Sequence, residues 1–174
     1  MIMAPGARKF ALTAHIACSV GWLGAVAGFL ALSIAGLTSE SHQLVRAAYL
    51  AMELTTWYVI VPLSLASLLT GVVQALGSAW GLFGHYWVVI KLLMTIVATL
   101  ILLVHTRPIG LVAGVVAETT LSSGELGSLR AQLVVDAGAA LLALLVTVAL
   151  SVYKPRGMTR YGQRRRHLQR AVAP

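Results

Sequence analysis

The chain has 174 residues, 59% of them hydrophobic and only 10% charged. A soluble domain usually carries about 25% charged residues, so this chain cannot cover its own surface with polar groups, and lipid is its natural solvent. The net charge of +8 is concentrated in Lys154, Arg156, Arg160, Arg164, Arg165, Arg166 and Arg170. That pattern fits anchoring at anionic headgroups and lacks the interleaved basic and aromatic residues that nucleic acid requires. The single cysteine, Cys18, excludes an internal disulfide and a cysteine metal cluster.

A spanning helix needs roughly 20 mainly apolar residues, and four segments qualify. The first runs from about Phe10 to Leu37 and ends at Thr38-Ser39-Glu40-Ser41. Its apolar run exceeds the core of a signal peptide, about 7–15 residues, so it is read as a retained span. The second runs from about Leu50 to Leu76, and Gly77 to Gly84 joins it to the third, about Tyr86 to His105. Arg107-Pro108 is expected to stop that helix, because proline cannot donate to the helical ladder. Ile109 to Val116 then reads as interfacial or re-entrant. The fourth span runs from about Leu129 to Tyr153, followed by a basic tail over 154–174. The expected fold is all-α: a single membrane domain over residues 1–174, built as a four-helix bundle.

Charge sets the expected orientation. Arg8 and Lys9 precede the first span and the seven basic residues follow the last, while Arg46, Arg107 and Arg130 fall on the other side. The positive-inside rule then puts both termini in the cytoplasm of a bacterial inner membrane. All five acidic residues, Glu40, Glu53, Glu118, Glu125 and Asp136, fall in the outer half.

At about 100° per residue, each span has one polar or small face. His15, Ser19, Trp22 and Ser33 share the first, and Glu53, Trp57, Ser64, Ser67 and Gly71 the second. Lys91, Thr95, Ala98, Leu102 and His105 share the third, and Asp136, Ala140, Ala143 and Thr147 the fourth. Ionisable groups in membrane helices turn inward, toward partners or water, so these faces should meet in the bundle. Ala17, Gly21, Gly24 and Gly28 are read as small residues that let helices approach closely. By rise per residue, His15 and Lys91 share an inner level, whereas Glu53, His105 and Asp136 form an outer one. About 21 Å separates Lys91 from His105 along the axis, so one small ligand cannot touch both.

An inward histidine in a membrane bundle is a candidate haem ligand, and a b-type haem needs no covalent Cys-x-x-Cys-His motif. His15 offers the ligand at the inner level, with Lys91 as cation for a propionate. His85 is a second ligand only if the third helix starts with a bend; otherwise it belongs to an interfacial aromatic belt with Tyr86 and Trp87. At the outer level His105 has Arg107 nearby, and His42 reaches it only if its loop folds back. The alternatives are structural. His15 and His105 also serve as interhelical hydrogen-bonding groups, and Lys91 can snorkel its amine to the headgroups. Glu53 and Asp136 read either as a proton or cation site with His105 or, for Glu53, as helix N-terminal charge.

Three stretches carry resemblances. His15 followed six residues later by Trp22-Leu23-Gly24 resembles the first helix of copper-resistance-D-type membrane domains. Trp87-Val88-Val89-Ile90-Lys91-Leu92-Leu93 with His105 after it resembles the third helix of J-type protoporphyrinogen oxidases. Val61-Pro62-Leu63-Ser64-Leu65-Ala66-Ser67-Leu68-Leu69-Thr70-Gly71 through Trp80-Gly81-Leu82-Phe83 looks like a group of uncharacterised actinobacterial membrane proteins. The J-type likeness implies a haem-binding bundle that oxidises protoporphyrinogen and in which His15 and Lys91 matter. The copper-type likeness implies outward Met or His clusters, which Met1, Met3, Met52, Met94 and Met158 do not form.

The leading expectation is a haem b protein with an electron-transfer or porphyrin-oxidising role. Two alternatives stand beside it. One is a non-enzymatic accessory or scaffold subunit that meets a membrane partner, or a second copy of the chain, through its Gly/Ala faces. The other is a proton or cation conductor using Glu53, His105 and Asp136. The absence of a nucleophile elbow, phosphate loop, zinc helix or Rossmann fingerprint argues against hydrolases and nucleotide enzymes.

Overall fold

The computed structural model describes residues 3–77, 82–117, 125–153, 157–160 and 162–164. The described residues form helices α1 (Pro5–Thr38), α2 (His42–Thr55), α3 (Val61–Leu76), α4 (Tyr86–Ala117) and α5 (Glu125–Tyr153). A π-helical turn, Thr56–Ile60, joins α2 to α3 without a break, so the two act as one long rod. Four rods result, and each contains a stretch long and apolar enough to cross a membrane. That number matches the expectation, and the rods run up, down, up and down.

Several boundaries differ from those read in the sequence. Ser41 caps the second rod by accepting a hydrogen bond from the Leu44 amide, so the helix begins at His42 rather than near Leu50. His42 therefore opens a helix, exposed, and is not a loop residue. The third rod passes through residues 107–108 as far as Ala117. Pro108 removes one ladder bond, a loss that helices in apolar surroundings tolerate when neighbouring groups compensate. Ile109 to Val116 is thus helix, continuous with the third span.

The π turn has a local cause. Pro62 has no amide hydrogen, and its ring crowds the carbonyl four residues before it; an extra residue in the turn relieves both. The hydroxyl of Thr56 closes the turn by donating to the Met52 carbonyl at 2.7 Å. The buried stripe records the insertion, running Met52, Thr56, Ile60, Ser64 in steps of four where 3.6 is the helical mean. Trp57, expected to face inward, is consequently turned out and 51% exposed.

α1 packs on the second rod and on α5, and α4 packs on the same two partners. α1 and α4 therefore stand diagonally opposite. Trp22, Val26 and Phe29 of α1 meet Tyr49, Met52 and Ile60 of the second rod and Leu133, Ala137 and Leu144 of α5 in a single core. The start of α1, the end of α3, the start of α4 and the segment after α5 all meet at one end, here the terminal end. There the Met3 amide bonds the Gly77 carbonyl, Tyr86 bonds Gly157, and Thr159 bonds Gly84.

Of the small residues expected to let helices approach, only Gly21 does so. Ala17, Gly24 and Gly28 face outward, and a Cβ on either glycine would touch nothing within 4 Å. Only Gly21, beside Leu63, meets another helix. The tight crossing is at Gly36, where a Cβ would lie 2.7 Å from the ring of Tyr49. Tyr49 is 1% exposed and has no room to retreat. Gly36→Ala is expected to destabilise the bundle by about 1–3 kcal/mol through overpacking, whereas Gly24→Ala is neutral. Thermal unfolding in detergent, followed by circular dichroism, checks the pair.

Candidate functional site

In the half of the bundle nearer the terminal end, the diagonal helices α1 and α4 are separated by a cavity of about 600 Å³, walled by α3 and α5. Its size falls in the range of small-molecule and cofactor sites. Apolar side chains dominate the walls, with Trp22, Leu23 and Leu144 toward the middle of the bundle and Leu82 and Trp87 toward the terminal end. Polar groups are few and converge: His15 and Ser19 from α1, Ser67 and Gln74 from α3, Lys91 and Thr95 from α4, and Thr147 and Ser151 from α5.

His15 is held against α3. Its Nδ1 lies 3.1 Å from the Ser67 carbonyl and 3.2 Å from the Thr70 hydroxyl. A carbonyl only accepts, and the Thr70 hydroxyl spends its proton on the Ala66 carbonyl at 2.6 Å. Nδ1 must therefore carry the hydrogen, which leaves Nε2 as the lone-pair nitrogen of the neutral ring, itself 3.8 Å from where a Cβ on Gly71 would stand. This is how proteins orient a metal-ligating imidazole. The ring can come so near because residue 71 is glycine: a Cβ there would lie 3.0 Å from Cε1. One turn further along α1, the hydroxyls of Ser19 and Ser67 share a hydrogen bond of 2.8 Å, which fixes the register of the two helices.

Lys91 faces His15 from the diagonal helix. Its ammonium donates to the Ser151 hydroxyl at 2.5 Å and sits 5.9 Å from the centre of the Trp87 ring, within reach of a cation–π interaction. Ser151 passes its own hydrogen to the Thr147 carbonyl at 2.8 Å, so its oxygen is oriented to accept from the lysine. Lys91 is thus drawn along the cavity wall, toward α5. Gln74 adds a carboxamide whose Oε1 is buried and takes no hydrogen bond.

The other residues singled out in the sequence fall elsewhere. His85 does not line the cavity; it stands at the head of α4, paired through its backbone with Met158. The backbone of His105 and Arg107 lies on α4, but their side chains lie outside the described residues, so the outer pairing is not part of this geometry. Glu53 and Asp136 are half-buried and do not line the cavity. Glu53 instead faces α4, its Oε1 3.6 Å from where a Cβ on Gly110 would stand. In the same half, the Arg130 guanidinium lies 5.1 Å from the centre of the Tyr49 ring.

Sequence reasoning missed four contributors: the Ser67 carbonyl, Gly71 as the seat of the imidazole, Gln74 and Ser151. The last two carried a signal, since each is a polar residue in an apolar run. Comparison of the chain with protein-family models, curated proteins and solved structures gives no match. The fold and site therefore define a class only: a helical bundle of the transmembrane type with a cavity lined, among the described residues, by one imidazole and one amine.

The hydrogen-bond geometry has a direct readout. With ¹⁵N-labelled histidine, the neutral His15 ring is expected to show a protonated Nδ1 and a bare Nε2. Ser67→Ala should preserve this tautomer, because the carbonyl remains. Gly71→Val should abolish it by displacing the ring.

Proposed function

We propose that the protein is a multi-pass protein of the bacterial cytoplasmic membrane, with both termini inside, that binds one haem b between α1 and α4. His15 supplies the axial ligand and Lys91 holds a propionate. The observation that carries this reading is a cavity of adequate size lined by both the His15 imidazole, held through Nδ1 by the Ser67 carbonyl, and the Lys91 amine. The apolar walls suit a porphyrin face, and the amine supplies the charge that its carboxylates need. The resemblance of the third helix to that of J-type protoporphyrinogen oxidases implies the same two residues. The exposed Arg160 and Arg164, at the end where the chain's described extremes meet, support a cytoplasmic terminal end.

Haem would supply one-electron chemistry, which fits an electron-transfer or porphyrin-oxidising role. The protein's own contribution is to orient the imidazole through Ser67, to keep water away with Trp22 and Leu144, and to neutralise the carboxylate beside Ser151.

The test uses full-length protein made in haem-supplied membranes. His15→Ala is expected to remove the reduced-minus-oxidised α band. Lys91→Ala should keep the band but release haem about tenfold faster, as expected for loss of a charge-assisted hydrogen bond worth roughly 1.5 kcal/mol. An undiminished band in His15→Ala would overturn the assignment.

A further inference from the structure

The cavity wall is not equally closed on all sides. The lining residues of α3 and α4, among them Leu68, Ala75, Val88 and Leu92, are half-buried. On α1 and α5 the lining residues also face outward: Leu12 is 44%, Ile16 51% and Val20 59% exposed, and Val148 is 40% and Val152 71% exposed. These two helices join the common core only from Trp22 and Leu144 onward. Toward the terminal end they part, leaving an apolar-rimmed cleft that leads to His15 and Lys91.

The terminal end itself is crossed by a strap. The segment after α5 lies over the start of α4: the Thr159 hydroxyl donates to the Phe83 carbonyl at 2.5 Å and its amide to the Gly84 carbonyl at 3.1 Å. The Gly157 carbonyl accepts from the Tyr86 amide at 3.4 Å. Leu82, next to this strap, is part of the cavity lining. Among the described residues, the terminal end thus carries tied backbone over the start of α4, while the side of the bundle presents a rim of exposed Ile16, Val20, Val148 and Val152. Such a rim is wetted by acyl chains, not by water.

We infer that the cavity takes its ligand sideways from the cytoplasmic leaflet, through the cleft between α1 and α5, as a membrane-dissolved amphiphile with a carboxylate head. The head comes to rest against the Lys91 ammonium, with the Gln74 carboxamide as a second polar contact, and the apolar body lies among Leu23, Leu92 and Leu144. Haem, a flat apolar ring with two carboxylates, belongs to this class; that identification and the choice of leaflet rest on the function and orientation proposed above, but the sideways route does not.

The experiment follows haem transfer from vesicles into full-length apoprotein reconstituted in the same bilayer. Ile16→Trp combined with Val148→Trp narrows the rim at two outward-facing positions. Loading and release are both expected to slow about tenfold, the effect of roughly 1.4 kcal/mol on the passage barrier. Damage to the site itself would instead speed release. Thr159→Ala, which loosens the strap, should change neither rate. Unchanged rates in the rim pair, or faster loading in Thr159→Ala, would overturn the lateral route. If the unsubstituted protein takes up no haem, the haem assignment fails and the route is read separately. Ser19→Cys on a Cys18→Ser background is then expected to react with a bilayer-partitioning maleimide and to resist a charged, impermeant one. Equal reaction with both would overturn the route.

Discussion

The hydrogen bond from His15 Nδ1 to the Ser67 carbonyl governs the chemistry of the terminal half of the bundle. An imidazole among apolar helices must satisfy its polar nitrogens locally, because an unpaired buried polar group costs several kcal/mol in such surroundings. α3 answers with a backbone carbonyl and a threonine hydroxyl, and Gly71 makes the room. Nδ1 is thereby spent on holding the ring to α3. The same seam, continued by Ser19 and Ser67, draws α1 onto α3. α1 is thereby kept off α4, and the cavity fills the space between the diagonal pair.

The two halves of the bundle solve opposite problems. The half away from the terminal end is packed: Tyr49 and Met52 are almost fully buried, and Gly36 lets the Tyr49 ring lie directly on α1. The terminal half is held apart by polar contacts along its walls, His15 to α3 and Lys91 to α5. Packing density is the usual state of a protein interior, so the polar-edged void stands out against the dense half.

Much of this was legible in the sequence, and for a physical reason. Four long apolar runs can satisfy their backbones in a bilayer only as helices, which made the all-α bundle readable from composition. His15 and Lys91 share a level because the rise per residue is constant, and the structure brings both into one cavity. What was not legible depended on atoms rather than periodicity. The π turn at Thr56–Ile60 shifts every later residue of the second rod, so a constant 100° step put Trp57 on the wrong face. Pro62 was the available sign. Pro108 misled in the other direction, because a proline ends a helix in water more readily than among packed helices. The glycines of α1 were read as a contact stripe from spacing alone, yet only Gly21 of that stripe meets a neighbouring helix, and the tight crossing falls at Gly36.

The proposal to be tested is that the cavity would hold one haem b on the His15 imidazole. The measurement that tests it most directly is the carbon monoxide difference spectrum of the dithionite-reduced, full-length protein in detergent. A shift of the haem Soret band on adding carbon monoxide is the expected result, since His15 is the only histidine lining the cavity among the described residues. A haem spectrum that carbon monoxide leaves unchanged would contradict the single-ligand geometry. The absence of any haem band in a folded, haem-supplied preparation would contradict the claim altogether.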